Sequence, residues 1–224
     1  MIFRKFIFIC CAFLPLQLVL AKPLDSLPKE CHFSSQFEQT KKLSSLPVPL
    51  KSSGSLYFSC QAGLIWQTKV PIKEELVLTI EKVHFQQSYS NQTNQLEIID
   101  SIQTQFLSKL LIGLMSVDEA YIHKTFLVET LSENQFKLIP KKNPLKRVIE
   151  NIKISSLIAE QELLINIEQK DQTKLSIRSF APTILKNSES HSTQCELSTH
   201  SKILCEALFH PIKIASKLDE NFNE

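Results

Sequence analysis

The sequence feature that most constrains the fold is a repeated alternation of apolar and polar residues between positions 53 and 89. Leu56 and Phe58, for example, fall on one face of an extended chain, and Tyr57 falls on the other. Successive side chains of a β-strand point to opposite faces, so this period predicts strands rather than helices. The predicted strands are 53–60, 64–68, 75–80 and 83–89.

Two segments have apolar residues at the three- and four-residue spacing of a helix. Phe33 and Phe37 predict a helix over 31–46, which Pro47 would end. Apolar residues around most of the circumference predict a second helix over 101–116, followed by a short one over 118–124. Further strands are expected at 126–130, 136–140, 148–155, 163–168 and 174–180.

This order of elements predicts an α+β fold in which an antiparallel sheet coils around two helices. A sheet of this kind closes only partly, so its inner face needs a cover. We expect an incomplete antiparallel β-barrel covered by an α-helical lid, with an apolar cavity between them.

A set of short motifs in the first third of the chain resembles the periplasmic lipoprotein carriers of Gram-negative bacteria, the LolA type, and especially their divergent relatives. The pattern is F-x-Q-x-K, a short linker, S-G-x-[LF] and a G-[LV]-x-W-x-x-x-x-P strand. The matching residues are Phe37, Gln39, Lys41, Ser53, Gly54, Leu56, Gly63, Leu64, Trp66 and Pro71.

The resemblance implies an apolar cavity, because Leu64 and Trp66 match positions that line the cavity of the carriers. The alternative is that these side chains fill an ordinary core, as most apolar strand residues do. The candidate lipid-binding residues are Phe33, Phe37, Leu56, Phe58, Leu64, Trp66, Leu76, Leu78, Phe106, Leu110 and Leu114.

One departure from the family concerns the lid. The typical carriers have an arginine six residues after the glycine of the S-G pair, and this arginine holds the lid closed. The matching residue here is Cys60, which lacks the donors of a guanidinium. The lid latch must therefore differ or be absent.

Four cysteines follow position 21, namely Cys31, Cys60, Cys195 and Cys205, and they allow three disulfide pairings. One hypothesis joins Cys195 to Cys205 in a short loop and Cys31 to Cys60, which would tie the first helix to the second strand. The alternative for the tail is metal binding, since His191, His200 and His210 alternate with its cysteines. The spacing also suits a disulfide loop with a short helix, and we assign no metal site.

The first 21 residues have the composition of a secretory signal peptide, with two basic residues before an apolar stretch over 6–20 and a small residue at Ala21. A membrane anchor is the alternative, but about 15 apolar residues interrupted by a proline are short for a bilayer span. We expect export to the periplasm with cleavage after Ala21, a single domain over 22–212 and a charged, disordered tail over 213–224.

Composition excludes several function classes. Without its first 21 residues the chain has 23 basic and 23 acidic side chains. This balance argues against a nucleic-acid partner and disfavours a polybasic role at a membrane surface. The three glycines are not clustered, so the chain has no phosphate-binding loop and no Gly-x-Ser-x-Gly nucleophile elbow. We expect a protein without cofactors that is not an enzyme.

Three functions remain open. The resemblance implies a monomeric periplasmic carrier of acylated lipoprotein or another acyl-lipid cargo, working between an inner-membrane exporter and an outer-membrane acceptor. The second is an accessory or scaffold protein of an envelope complex that keeps the fold without cargo. The third is an enzyme acting on lipid or glycan, which the missing nucleophile motifs disfavour.

Overall fold

The computed structural model describes Leu24 and residues 31–87, 97–99, 102–157, 162–185 and 191–210. Most of these residues belong to one antiparallel sheet of eleven strands. The predicted signal peptide over 1–21 and the predicted tail over 213–224 lie outside the described residues.

Every two strands that are neighbours in the sheet are also consecutive in the sequence, except for β1 and β11. The strands are β1 (His32–Lys42), β2 (Leu50–Ser59), β3 (Gly63–Val70), β4 (Glu74–Leu78), β5 (Val83–Gln87), β6 (Glu97–Ile99), β7 (Phe126–Ser132), β8 (Gln135–Pro140), β9 (Ile149–Leu157), β10 (Glu162–Gln169) and β11 (Lys174–Ile184). The order is β6-β5-β4-β3-β2-β1-β11-β10-β9-β8-β7. Because β6 and β7 form the two edges, the sheet of the described residues is not closed into a barrel.

The described residues also form five helices: α1 (Ile102–Met115), α2 (Glu119–Thr125), α3 (Leu145–Val148), α4 (His191–Thr199) and α5 (Lys202–Phe209). The long helix predicted over 101–116 is confirmed as α1, and the short one that follows is confirmed as α2. The strands predicted from alternation are all present, with ends that differ by a few residues.

The helix predicted over 31–46 is wrong. The segment forms β1, which pairs with β2 on one side and β11 on the other. Phe33 and Phe37 are four residues apart, a spacing that fits one turn of helix and equally two repeats of a strand. The deciding residue is Ser35, which is buried between them, while Leu46, counted in the helical stripe, is exposed.

Helix α1 lies on the inner face of the sheet and contacts both halves. Phe106, Leu110 and Leu114 pack with residues of β7–β11. Ile112 and Met115, on another side of the helix, pack with residues of β1–β5. The nearly continuous apolar circumference in the sequence thus corresponds to a helix that is covered on two sides.

The outer face of β2–β4 is covered by α4 and α5, a pair of helices that the sequence did not predict as a pair. Tyr57, Ile65 and Val77 point outward from these strands and pack against α4 and α5. The disulfide between Cys195 and Cys205 joins the two helices. The middle of the sheet is therefore covered on both faces.

Candidate functional site

The structure brings the predicted lipid-binding residues together on the inner face of the sheet and on α1. Those from β1 to β4 form one apolar cluster with Val83, Ile112 and Met115, called here the β1–β5 cluster. Leu110, Leu114 and Phe106 belong to a second one with residues of β7–β11, called the β7–β11 cluster. Phe33 and Phe37 reach this face from a strand and not from a helix, so the predicted lid of two helices is wrong in its first helix, and α1 is the predicted helix that lies on this face.

Trp66 connects the two clusters. It is partly buried and packs against both of them. Its ring also lies 3.9 Å from the ring of Phe37, centroid to centroid, although their strands are separated by β2. The contact crosses Gly54, where an added Cβ would lie 3.0 Å from the Phe37 ring and would collide with the backbone oxygen of Gln67. The motif glycine is therefore required for space.

A buried hydrogen bond ties α1 to the sheet. The hydroxyl of Ser108 donates to the backbone oxygen of Thr79, in the turn after β4. That turn is held by its own bonds, since Thr79 Oγ1 donates to the oxygen of Lys82 at 3.0 Å and accepts from the Lys82 nitrogen at 2.9 Å. Ser108 is fully buried, so this polar contact is shielded from water. The bond therefore joins α1 to the sheet in a chain that lacks the arginine of the typical carriers.

The position of that arginine is occupied by a disulfide. Cys60 follows β2 and is bonded to Cys31, which precedes β1. The backbone nitrogen of Cys60 also donates to the oxygen of Cys31 at 3.0 Å. The predicted pairing is thus present, but it joins two neighbouring strands of the sheet and does not fasten a helical lid.

The candidate lining residues are packed against each other in the described part of the chain. Phe58 and Leu64 are 0% exposed and Leu110 is 1% exposed. An apolar cavity between α1 and the sheet therefore stays a prediction, and it would require α1 to move.

The sequence analysis did not identify Ser108, nor the apolar residues that β7–β11 contribute to the inner face of the sheet. The signal for the missing half was present in the later strands, where apolar residues alternate as they do in the first ones. The inward residues of that half are Phe126, Phe136, Leu138, Ile152, Ile154, Ile165, Ile167 and Ile177. Ser108 gave no such signal, because a serine within a helix ordinarily points to solvent or to its own backbone.

Histidines lie between the sheet and the outer helices. The ring of His32 at the start of β1 stacks on that of His191 at the start of α4, with 4.0 Å between centroids. Burial, and then the charge of His191, lowers the pKa of His32. His84 is fully buried beside Val77, and neither ring nitrogen has a hydrogen-bond partner in the described part of the chain. Burial, and then the charge of Lys82, lowers the pKa of His84.

The alternation of histidine and cysteine in the tail does not assemble a metal site among the described residues. Cys195 and Cys205 are bonded to each other, so neither is a thiolate ligand. His191 is turned toward His32 and the ring of Phe209. Residues 191–209 therefore form a pair of helices, α4 and α5, that a disulfide joins and that cover the outer face of the sheet.

A hollow of about 190 Å³ lies away from α1, on β9–β11. Glu168 in this hollow accepts a hydrogen bond from Asn151 at 2.9 Å and lies 3.7 Å from the Nζ atoms of both Lys153 and Lys174. The bond from Asn151 is the largest cause that lowers the pKa of Glu168. The charges of Glu168, Lys153 and Lys174 in this hollow thus compensate one another.

Among the described residues, no helix has both the length and the apolar content needed to cross a bilayer.

No protein-family profile and no curated protein matches the sequence. The protein is similar to the crystal structure of a LolA superfamily protein from Nitrosomonas europaea, with a TM-score of 0.41 and 6% identity over 73% of this chain and 90% of that chain. It is also similar to a DUF1329 family protein from Desulfovibrio piger, with a TM-score of 0.33 and 11% identity over 75% and 91%.

At such TM-scores the likeness carries no argument about function. What the protein does has to be inferred from its own residues.

Proposed function

We propose that this protein is a periplasmic carrier that holds acyl chains between α1 and the inner face of the sheet. The observation that carries the proposal is the position of α1. It contributes to two apolar clusters that Trp66 also contacts, so displacing it would expose apolar residues of both clusters on the inner face of the sheet.

Retention of cargo in such a site needs no catalytic chemistry. Each buried methylene contributes about 0.8 kcal/mol, so one or two long acyl chains are held strongly by burial alone. The cargo would be an acylated lipoprotein or another lipid-linked molecule, received from an inner-membrane exporter and passed to an outer-membrane acceptor. The carrier would act as a monomer and without a cofactor.

Two further features support a lid that moves while the sheet stays intact. The disulfide between Cys31 and Cys60 holds β1 to β2, so it does not restrain α1. The polar bond from Ser108 to Thr79 can break and re-form without any covalent step. Disulfides are typical of proteins in oxidising compartments, which agrees with a periplasmic location.

The test uses Trp66, the single tryptophan of the chain, as an internal probe. Monomeric lysophospholipid with a brominated acyl chain should quench its fluorescence, because bromine quenches only at close range and Trp66 adjoins both clusters. The same lipid without bromine measures any change caused by movement alone.

The control moves the tryptophan to the outer face, as Leu197→Trp in a Trp66→Phe background. Leu197 is 65% exposed on α4, so its replacement should not be quenched at the same lipid concentration. Equal quenching at both positions would mean that lipid adsorbs without a site.

The alternative is a scaffold protein of an envelope complex that does not carry cargo. The observation that favours it is the complete burial of Phe58 and Leu64 by packing within the protein itself. No quenching of Trp66 at saturating brominated lipid would reject the carrier and leave this alternative.

A further inference from the structure

Four loops of the sheet lie at the same end. The pairing of Lys41 with Leu50 places the loop 43–49 at the end where β1 finishes. The pairing of Lys42 with Lys174 places the turn 170–173 beside that loop.

The two other loops are placed by the register of their strands. Ser53 pairs with Val70, so the turn 71–73 is at the same end as the loop 43–49. The nitrogen of Lys170 donates to the oxygen of Val148 at 2.9 Å, which brings the segment 141–148 to the turn 170–173.

This end of the sheet is strongly basic. The segments 41–51, 69–75, 141–150 and 168–174 contain eleven basic and five acidic side chains, and we call them together the basic end. The remainder of the chain after position 21 has twelve basic and eighteen acidic side chains. The near-zero net charge thus hides a separation of charge that only the fold creates.

Several of these basic side chains are exposed and form no ion pair with another described residue. Lys42, Lys51, Lys69 and Lys73 are exposed, and within the described ranges none of them forms an ion pair. They flank the loop 43–49 and the turn 71–73, and they are available to a negatively charged partner.

Exposed aliphatic side chains lie between these lysines. Val48 is 68% exposed and Leu50 is 51% exposed in and after the first loop, and Ile72 is 50% exposed in the second. Val70, beside Ile72, is 58% exposed. Apolar side chains grouped at loops and bordered by charge are typical of interaction sites and not of an ordinary solvated surface.

We propose that the basic end docks on an anionic phospholipid surface, with Val48 and Ile72 entering the interface and the neighbouring lysines lying among the headgroups. Lysines near a negatively charged membrane are attracted to it, and apolar side chains between them are removed from water when they enter the acyl boundary. This inference is independent of the proposed function, since it does not involve α1 or the inner face.

The composition favours a bilayer over nucleic acid. Ten of the eleven basic residues are lysines, whereas phosphate recognition in nucleic acids favours the bidentate arginine. The four segments contain no aromatic residue that could stack on a base. On nucleic acid, Val48 and Ile72 would also stay in water.

The test is sedimentation of the protein, purified after export, with vesicles of phosphatidylcholine with and without phosphatidylglycerol. Binding should require phosphatidylglycerol and weaken with salt. The variant with Lys42, Lys51, Lys69 and Lys73 each replaced by Gln should bind about tenfold more weakly or worse.

The matched control replaces Lys82, Lys109, Lys137 and Lys202 by Gln, which changes net charge equally away from the basic end. It should bind as the unmodified protein does. Equal loss in both variants, or no sedimentation of the unmodified protein, overturns the proposal; in the second case an acidic protein becomes the partner to seek.

A second measurement tests insertion directly. Ile72→Trp in a Trp66→Phe background should shift its emission to the blue when phosphatidylglycerol vesicles are added, and Ile203→Trp on α5 should not. A Trp at position 72 that stays in water while the protein sediments contradicts insertion. A failure here leaves Trp66 quenching by monomeric lipid unaffected, so the two proposals fail separately.

Discussion

Phe37 on β1 and Trp66 on β3 pack with 3.9 Å between ring centroids and 36° between ring planes, across Gly54 on the strand between them. We expect Gly54→Ala to lower the free energy of unfolding by about 1–3 kcal/mol, because its methyl group would collide with the Gln67 backbone and the Phe37 ring. Urea unfolding followed by Trp66 fluorescence measures this. The control is Ser52→Ala, two residues away on β2. An unchanged free energy of unfolding in Gly54→Ala would show that the contact between the two rings does not require a residue without a side chain at position 54.

The bond from Ser108 to Thr79 should control how readily α1 leaves the sheet. Ser108→Ala leaves the buried Thr79 oxygen without its donor, which costs about 1–3 kcal/mol. Amide hydrogen exchange in α1 should accelerate, and acyl-chain uptake should become faster. The control is Ser116→Ala, whose hydroxyl donates within the helix end to the Ile112 oxygen at 2.8 Å. Equal acceleration in both variants would mean that the Ser108 bond is not a latch.

The two disulfides should contribute unequally to stability. Cys31 and Cys60 are 29 residues apart and Cys195 and Cys205 are 10 apart, so chain entropy predicts about 3–4 kcal/mol for the first and about 3 kcal/mol for the second. Replacing each pair by serines and measuring urea unfolding tests this order. The reverse order would indicate that the α4–α5 cover contributes more than loop closure alone.

Acid should destabilise the protein through His84 and His32. The pKa of each is lowered from 6.5 in the fold, chiefly by burial. Each group therefore stabilises the fold above about pH 6.5, and this stability is lost as the pH falls below that value, because the unfolded chain then binds protons more readily. His84→Phe should reduce the dependence of unfolding free energy on pH between neutrality and about pH 5.

The control for this experiment is His123→Phe at an exposed position of α2. The same change of slope in both variants would show that the effect does not come from the buried imidazole of His84. An unaltered slope in His84→Phe would mean that the buried imidazole is protonated in the fold or does not titrate in this range.

Prediction from the sequence succeeded where a local period has only one explanation. The segments around Leu56, Leu64 and Leu76 alternate over several residues, and only a strand places such residues on one face. Likewise the apolar circumference around Leu110 is too wide for a single packed face, and α1 is covered on two sides.

Prediction failed where the same spacing satisfies two periods. The four-residue interval between Phe33 and Phe37 is shared by helix and strand, and pairing with β2 and β11 decided between them. Pairing with a strand on each side gives the backbone groups of this segment partners along most of its length, and this outweighs a local propensity.

The sequence by itself determined the alternating strands, the apolar helix and the set of cysteines, since these depend on neighbouring residues along the chain. Only the tertiary structure decided that α4 and α5 cover the outer face, that Ser108 reaches Thr79, and that lysines from four distant segments gather at one end. The physical reason is that these relationships depend on strand order and register, and residues far apart in sequence become neighbours only when the sheet is formed.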